Sequence, residues 1–222
     1  MPKNKRAKYK AIKSFQNVFE IPYSSAQEDF KYKGKWHKDF FKNDYPIVLE
    51  LGCGKGEYSV ALAQRYPEKN FIGVDIKGDR LYKGAVDAIE KELPNVAFIR
   101  SQIQFVTSFF VPNEVDEIWL TFPDPQLQKP RHRKRLTAPE FLKKYSNIIR
   151  KNGIVHLKTD NTELFEFTID VVKNMNQKML CVNDDIYALP APEEVTGIKT
   201  YYEELFAAKG EKIKYLSFAL NI

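Results

Sequence analysis

The chain has 222 residues, 43% of them hydrophobic, enough for one large domain or for a domain with an appendage. No apolar run approaches the ~18 residues of a membrane span, and residues 1–13 lack the apolar stretch of a secretory signal, which excludes membrane and secreted classes and leaves a cytoplasmic protein as the expectation. The net charge of +6 is matched by Lys3, Lys5, Arg6, Lys8, Lys10 and Lys13 alone, so the rest of the chain is formally neutral and the charge is a local feature.

Residues 14–45 mix aromatics and lysines without clear periodicity. Phe15, Phe19, Tyr23, Phe30, Tyr32, Trp36, Phe40 and Phe41 are expected to pack this arm onto the remainder, giving a basic and aromatic arm over 1–45 and a main domain over 46–222. From Pro46 onward, strand-like runs alternate with helical patterns. Strands are predicted at 47–51, 71–75, 96–100, 117–122, 154–158, 179–183 and 215–220. Helices are predicted over 57–65 and over 79–93, the second with an apolar stripe of Leu81, Ala85, Ala88 and Ile89. Thr137-Ala138-Pro139-Glu140 has the form of a capping box with proline in the first turn. It opens a helix whose Phe141, Leu142, Tyr145, Ile148 and Ile149 face the core, with Gly153 where that helix stops. Asp160 or Asn161 caps a further helix. Residues 188–196 read as a loop. This alternation predicts an α/β fold: a mostly parallel, seven-stranded sheet with helices on both faces. Cys53 and Cys181 stand far apart in apolar contexts and read as free thiols of a reducing compartment. His37, His132 and His156 show no ligand spacing with them, so no metal is expected.

The first chemical motif is Val48-Leu49-Glu50-Leu51-Gly52-Cys53-Gly54-Lys55-Gly56. A buried strand runs into glycines at every second position, and a helix follows. Such glycines let the backbone turn tightly and approach a ligand that side chains would exclude. Asp75 ends the next strand, where a carboxylate can accept from both ribose hydroxyls of an adenosine. A dinucleotide loop has the spacing G-x-G-x-x-G and sets a helix N-terminus on a pyrophosphate. Here the spacing is G-x-G-x-G with Glu50 just before it, an acid that would repel a pyrophosphate and suit a cation. The loop resembles that of the Rossmann-like class I methyltransferases, whose methyl donor, S-adenosylmethionine, carries an ammonium and a sulfonium. Cys53 and Lys55 are read as bystanders, and Asp79 and Arg80 as charges at a helix start.

The fourth predicted strand ends in Pro123-Asp124-Pro125. Ligands of doubly wound sheets sit at the carboxyl ends of strands, at the switch point that the first and fourth strands flank, so Asp124 is expected beside the transferred methyl group. An acid-free run with Lys129, Arg131, Arg133, Lys134 and Arg135 follows at once. Cations beside such a site suggest a nucleic-acid substrate held by its phosphates.

Together these motifs make the chain resemble the bacterial tRNA (guanine-N7)-methyltransferase family over roughly residues 45–220. The resemblance is carried by Phe122-Pro123-Asp124-Pro125, by Arg131-His132-Arg133-Lys134-Arg135-Leu136, by Thr159-Asp160-Asn161 and by Thr200-Tyr201-Tyr202-Glu203. It implies that Glu50, Asp75 and Asp124 contact the methyl donor, with Asp124 catalytic. It also implies that Asp160 and the segment Thr200-Tyr201-Tyr202-Glu203 bind the guanine nucleotide, that the target is the variable-loop guanine at position 46, and that the enzyme acts without a protein subunit, as a monomer or homodimer. The chain departs from the family pattern at three places. Gln102 replaces an acid on the adenine side and can still hydrogen-bond an adenine edge. Gln126 and Gln128 stand where a tryptophan and a lysine are common, with Lys129 the nearest base. The arginine run aligns only after a small shift. Gln128, Lys129, Arg131, Arg133, Lys134 and Arg135 complete the expected substrate contacts, and Tyr201 or Tyr202 is either a stacking surface for the base or core. Three rival classes remain: a nicotinamide-dependent dehydrogenase, disfavoured by the loop spacing; an adenine-amino methyltransferase, whose strand end carries Asp/Asn-Pro-Pro-aromatic; and a non-catalytic RNA-binding module, which needs neither acid of the donor pocket.

Overall fold

The computed structural model describes residues 3–25 and 30–221; positions 1–2, 26–29 and 222 of the expected arm and domain lie outside it. In chain order the elements are α1 (Lys3–Ala11), β1 (Val18–Glu20), β2 (Ile47–Leu51), α2 (Glu57–Arg65), β3 (Asn70–Asp75), α3 (Gly78–Glu90), β4 (Val96–Arg100), β5 (Val115–Thr121), α4 (Pro139–Ser146), β6 (Ile149–Thr159), α5 (Thr162–Asn174), β7 (Lys178–Asn183), α6 (Glu193–Thr196), α7 (Tyr201–Ala207) and β8 (Lys214–Leu220). The sheet has eight strands in the order β1-β4-β3-β2-β5-β6-β8-β7. All neighbouring pairs from β1 to β6 are parallel, and β8 runs antiparallel to both β6 and β7. The order reverses at β2 and β5, and this places the switch point between them.

The central strands are apolar on both faces because both are covered. Leu49, Ile72, Ile118, Leu157 and Phe218 face a core closed by Leu142, Leu164 and Val172 of α4 and α5. Val48, Phe71, Phe98, Trp119 and Tyr215 belong to a second core with Val60, Leu62, Leu81 and Ala85 of α2 and α3. Period-two alternation thus feeds two cores from one sheet.

The seven predicted strands are present, and β1 is an eighth. Val18, Phe19 and Glu20 pair with Phe98, Ile99 and Arg100 of β4, and Arg100 Nη1 meets Glu20 Oε1 at 2.5 Å. Phe19, Phe30, Tyr32, Trp36 and Phe40 form one aromatic cluster, with Phe19–Tyr32 centroids at 5.2 Å and Phe19–Phe40 at 5.3 Å. Trp36, fully buried, donates from Nε1 to the carbonyl of Phe109. Tyr23 is 68% exposed as a residue, and its ring meets Phe105 edge-on with centroids 5.5 Å apart.

Two local expectations are corrected. Thr137 does not cap α4. The N-cap is Ala138, and the buried Thr137 hydroxyl accepts from Thr168 Oγ1 at 2.8 Å, tying α4 to α5. Proline in the first turn already removes one orphan N–H, so the hydroxyl is free for this interhelical bond. Gly153 does not stop a helix either. The helix ends at Ser146, and Gly153 lies inside β6 after a register shift against β5, facing Leu220 of β8. Of the two candidate caps for α5, it is Asn161 whose side chain accepts from Leu164 N.

Candidate active site

The carboxyl ends of β2, β3, β4, β5 and β6 form one edge, and the motif residues fall along it. At β2 the loop turns through Gly52, Gly54 and Gly56 at φ of 80°, 55° and 68°. The amides of Gly52 and Cys53 bond to the carbonyl of Val74, so the loop is stitched to the end of β3. Two of these glycines do different work. A Cβ on Gly56 would stand 2.6 Å from the Phe98 ring, whereas one on Gly54 would meet nothing within 4 Å. Gly56 is needed for packing, and Gly54 leaves a cradle that a ligand can enter.

Asp75 locks this cradle. Its Oδ2 accepts from Gly54 N at 2.9 Å and its Oδ1 from Lys77 N at 2.8 Å. Each oxygen keeps a second lone-pair site, which is what a pair of ribose hydroxyls would use. Glu50 lies deeper, 4% exposed. Ser59 donates to its Oε2 from both N and Oγ, and Thr121 donates to its Oε1. Burial pushes its carboxyl up to about 7 even though those donors, which favour the charged form, pull the other way. Glu50 therefore places a titratable charge behind the loop, with its oxygens held by α2 and β5. Gln102 follows β4, half-buried, at the start of the turn Ile103–Ser108.

At the end of β5 the chain enters a strained turn. Phe122 and Gln126, neither of them glycine, both have φ of 47° and bracket Pro123-Asp124-Pro125. The turn is pinned by Phe122 N donating to the carbonyl of Lys158 and by Gln126 N donating to Asp124 Oδ1 at 3.0 Å. Asp124 itself is exposed. Two left-handed non-glycine residues four positions apart hold this carboxylate at the end of β5.

The basic run forms a 3-10 turn over Lys129–Lys134. Gln128, Lys129, Arg131, Arg133 and Lys134 are exposed beside the site. Arg135 is not: it is 1% exposed, donates from Nε to the carbonyl of Pro125, and pairs through Nη2 with Glu163 at 2.5 Å. Its guanidinium also covers the Phe167 ring. Placed among Pro125, Glu163 and Phe167, it props the turn from inside and has no charge left to offer a phosphate.

At β6, Asp160 is half-buried and burial raises its carboxyl above the ordinary range. Lys214 of β8 holds its carbonyl. Thr200 caps α7. Tyr201 is 51% exposed, its ring 3.8 Å beneath Lys55 Nζ and its amide on Glu57 Oε2. Tyr202 stacks on Phe206, which in turn contacts Phe122. Glu203, by contrast, is fully buried against Lys158. Lys55 is thus no bystander, since it joins the glycine loop to α7. Asp79 is more than a helix-start charge, since Tyr9 and Lys5 of α1 reach it at 3.3 and 3.6 Å. Sequence offered a signal for Lys55 in its place within the loop, and none for Tyr9.

The residues present fit a methyl donor of the adenosyl type: an open cradle at Gly54, a ribose acid at Asp75 and a buried acid behind the loop. Among the described residues no group of His, Cys, Asp and Glu could hold a metal ion.

A family model described as "Putative methyltransferase" matches residues 44–216. The tRNA (guanine-N(7)-)-methyltransferase of Christiangramia forsetii is 47% identical, the match covering 99% of both chains. That of Bacteroides fragilis is 46% identical over 99% of this chain and 87% of the relative. Among solved structures, the 16S rRNA methyltransferase KamB superposes with a TM-score of 0.61 at 15% identity, covering 88% of this chain and 96% of that one. At that identity the likeness speaks for the fold alone.

Proposed function

This chain belongs to the tRNA (guanine-N7)-methyltransferase family, and on that premise we propose that it transfers a methyl group from S-adenosylmethionine to N7 of a guanine in tRNA, leaving S-adenosylhomocysteine. The observation that carries the reading is the rigid, strained Pro123-Asp124-Pro125 turn at the switch point, beside a glycine loop open at Gly54.

The donor supplies an electrophilic methyl on a sulfonium. Asp75 would hold the donor's ribose, Gln102 its adenine edge, and Gly52, Gly54 and Gly56 would let the backbone lie against its amino-acid end. N7 of guanine has an in-plane lone pair and no proton, so no strong general base is needed. What the chain must provide is orientation, which can account for several kcal/mol of a barrier. The base becomes cationic as the methyl arrives. Asp124 and Asp160 are the carboxylates at hand to stabilise that charge, and a carboxylate accepting from guanine N1–H and N2–H would exclude adenine. A base stacked in RNA must be extruded to reach them, at a few kcal/mol. The exposed Tyr201 ring offers a stacking surface worth ~1–3 kcal/mol. Lys129, Arg131, Arg133 and Lys134 would hold flanking phosphates.

The target within tRNA is proposed to be the variable-loop guanine, position 46, with no obligatory protein subunit and with the monomer or homodimer as the working unit. A cytoplasmic site of action is part of the proposal; no helix among the described residues is long and apolar enough to cross a membrane. The test is nucleoside mass spectrometry of unmodified bulk tRNA after incubation with the purified chain and S-adenosylmethionine. The expected result is 7-methylguanosine, lost in Asp124→Ala. Methyladenosine in its place would move the chain to another class of RNA-base methyltransferase.

A further inference from the structure

Lys158 and Glu203 are both 0% exposed, with Nζ and Oε2 2.7 Å apart. Around the ammonium stand two more oxygens, the carbonyls of Val195 at 2.5 Å and Ile198 at 3.0 Å. The Tyr58 ring lies 5.5 Å away. The second oxygen of Glu203 accepts from the Tyr187 hydroxyl at 2.6 Å. A lysine on β6 is therefore bound at three points to one stretch of chain, 187–203, that ends in the first turn of α7. The same residue's carbonyl accepts from Phe122 N, at the start of the strained turn that holds Asp124.

We propose that Lys158 is a positioning residue for the reaction, and that Glu203 acts through it and does not touch the guanine. Their buried pair fixes Thr200, Tyr201 and Tyr202 across the mouth of the site, at a set distance from the Asp124 turn. Neither charge can leave the other for an RNA base, because an unpaired charge in a site without solvent is far costlier than the pair. Outside the lock, α7 is tied to the opposite wall by Tyr201 N on Glu57, by Lys55 over Tyr201 and by Phe206 against Phe122. The lock thus sets one wall of the base pocket against both the donor loop and Asp124.

This inference rests on the proposed methylation of tRNA, so methylation by the parent chain is measured first; a parent that makes no 7-methylguanosine counts against that reading and not against the lock. The test then compares Lys158→Met, Glu203→Leu and the double substitution, since a buried ion pair replaced by apolar residues of similar volume often stays stable whereas removal of one partner does not. Each single substitution is expected to lower the melting temperature and to raise the KM for tRNA by about tenfold, the equivalent of about 1.4 kcal/mol, while affinity for S-adenosylhomocysteine stays within about twofold. The double substitution removes the unpaired charge but leaves the carbonyls of Val195 and Ile198 without the ammonium, so it is expected to recover part of the stability and part of the KM. A double variant that regains stability and binds S-adenosylhomocysteine, yet keeps the KM of Glu203→Leu, would show that Glu203 contacts the base and would overturn the proposal. Should the double variant not fold, hydrogen exchange of the parent decides. The lock requires slow exchange over 200–207 before RNA is added, and fast exchange there that slows only with tRNA would equally overturn it.

Discussion

Glu50 accepts three hydrogen bonds from Ser59 and Thr121 and is nevertheless held near pH 7 by burial. A carboxyl raised from 4.5 to about 7 binds its proton more tightly in the folded chain than in the unfolded one. Its contribution to stability is full below about pH 4.5 and is lost as the pH rises through about 7. The shift bounds that loss at about 3 kcal/mol. Glutamine cannot titrate, still accepts from Ser59, and can donate to Thr121. Glu50→Gln should therefore gain stability relative to the parent between pH 4.5 and pH 8, by up to about 3 kcal/mol in urea unfolding. A stability gap that does not change with pH would mean that the carboxyl is not raised. The glycines of the adjoining loop make a second contrast. Gly54→Ala adds a methyl to open space at φ 55°, so it should cost only about 1 kcal/mol of strain while weakening S-adenosylhomocysteine binding by tenfold or more. Gly56→Ala drives a methyl into Phe98 at 2.6 Å and should cost about 1–3 kcal/mol of stability. Calorimetry of binding and of unfolding on both variants separates the cradle from the packing contact. Equal losses of affinity would deny Gly54 its place against the donor. The loop spacing made all three glycines legible, but which one borders open space and which faces Phe98 depends on β4, a partner that no local pattern names.

At the level of elements, what could be read was what repeats. The strands of the main sheet and α2, α3 and α5 announce themselves by period and by length, because both faces of the sheet demand apolar cover. β1 did not, since three residues carry no period and their fitness for the sheet lies in the open edge of β4. Capping was legible only in part. Asn161 and Thr137 both have the composition of a cap, yet one side chain points to its own helix and the other to a neighbouring helix. Asn161→Ala should then cost about 1 kcal/mol, the usual worth of an N-cap. Thr137→Val should cost less, because Thr168 Oγ1 keeps a second acceptor in the carbonyl of Leu164. Chemical unfolding of the two variants checks the order, and a larger loss at Thr137 would restore it as the cap of α4. The same distinction accounts for Arg135 and Glu203. Both stand in runs that read as ligands, and only tertiary packing reveals that each is buried against a partner distant in sequence, Glu163 and Lys158 respectively.

Across the whole molecule the excess charge is laid out around one edge. α1 packs on the start of α3, where Gly78 has no side chain and so leaves room for Tyr9 and Ile12, and Arg100 from the end of β4 lies 4.5 Å from the Tyr9 ring. This places the basic helix beside the carboxyl ends of β3 and β4, on the donor side, while the 3-10 turn Lys129–Lys134 flanks the end of β5. A polyanion crossing the site would meet cations on both banks. Not all of α1 is free to take part: Lys5 pairs with Asp79 and Lys8 lies over the Tyr82 ring. Arg6, Lys10 and Lys13 are exposed. Removing the helix would uncover the buried Ile12, so charge is better removed alone, in Arg6→Gln/Lys10→Gln/Lys13→Gln. If all three cations meet phosphates, the slope of log affinity for tRNA against log salt should become shallower by about 2–3, at ~0.7–0.9 per contact. Affinity for S-adenosylhomocysteine should not change. The measurement is a salt titration of tRNA binding for the parent and the triple variant. Parallel lines would mean that α1 serves only to cover α3, and that the phosphates are held by the turn after β5 alone.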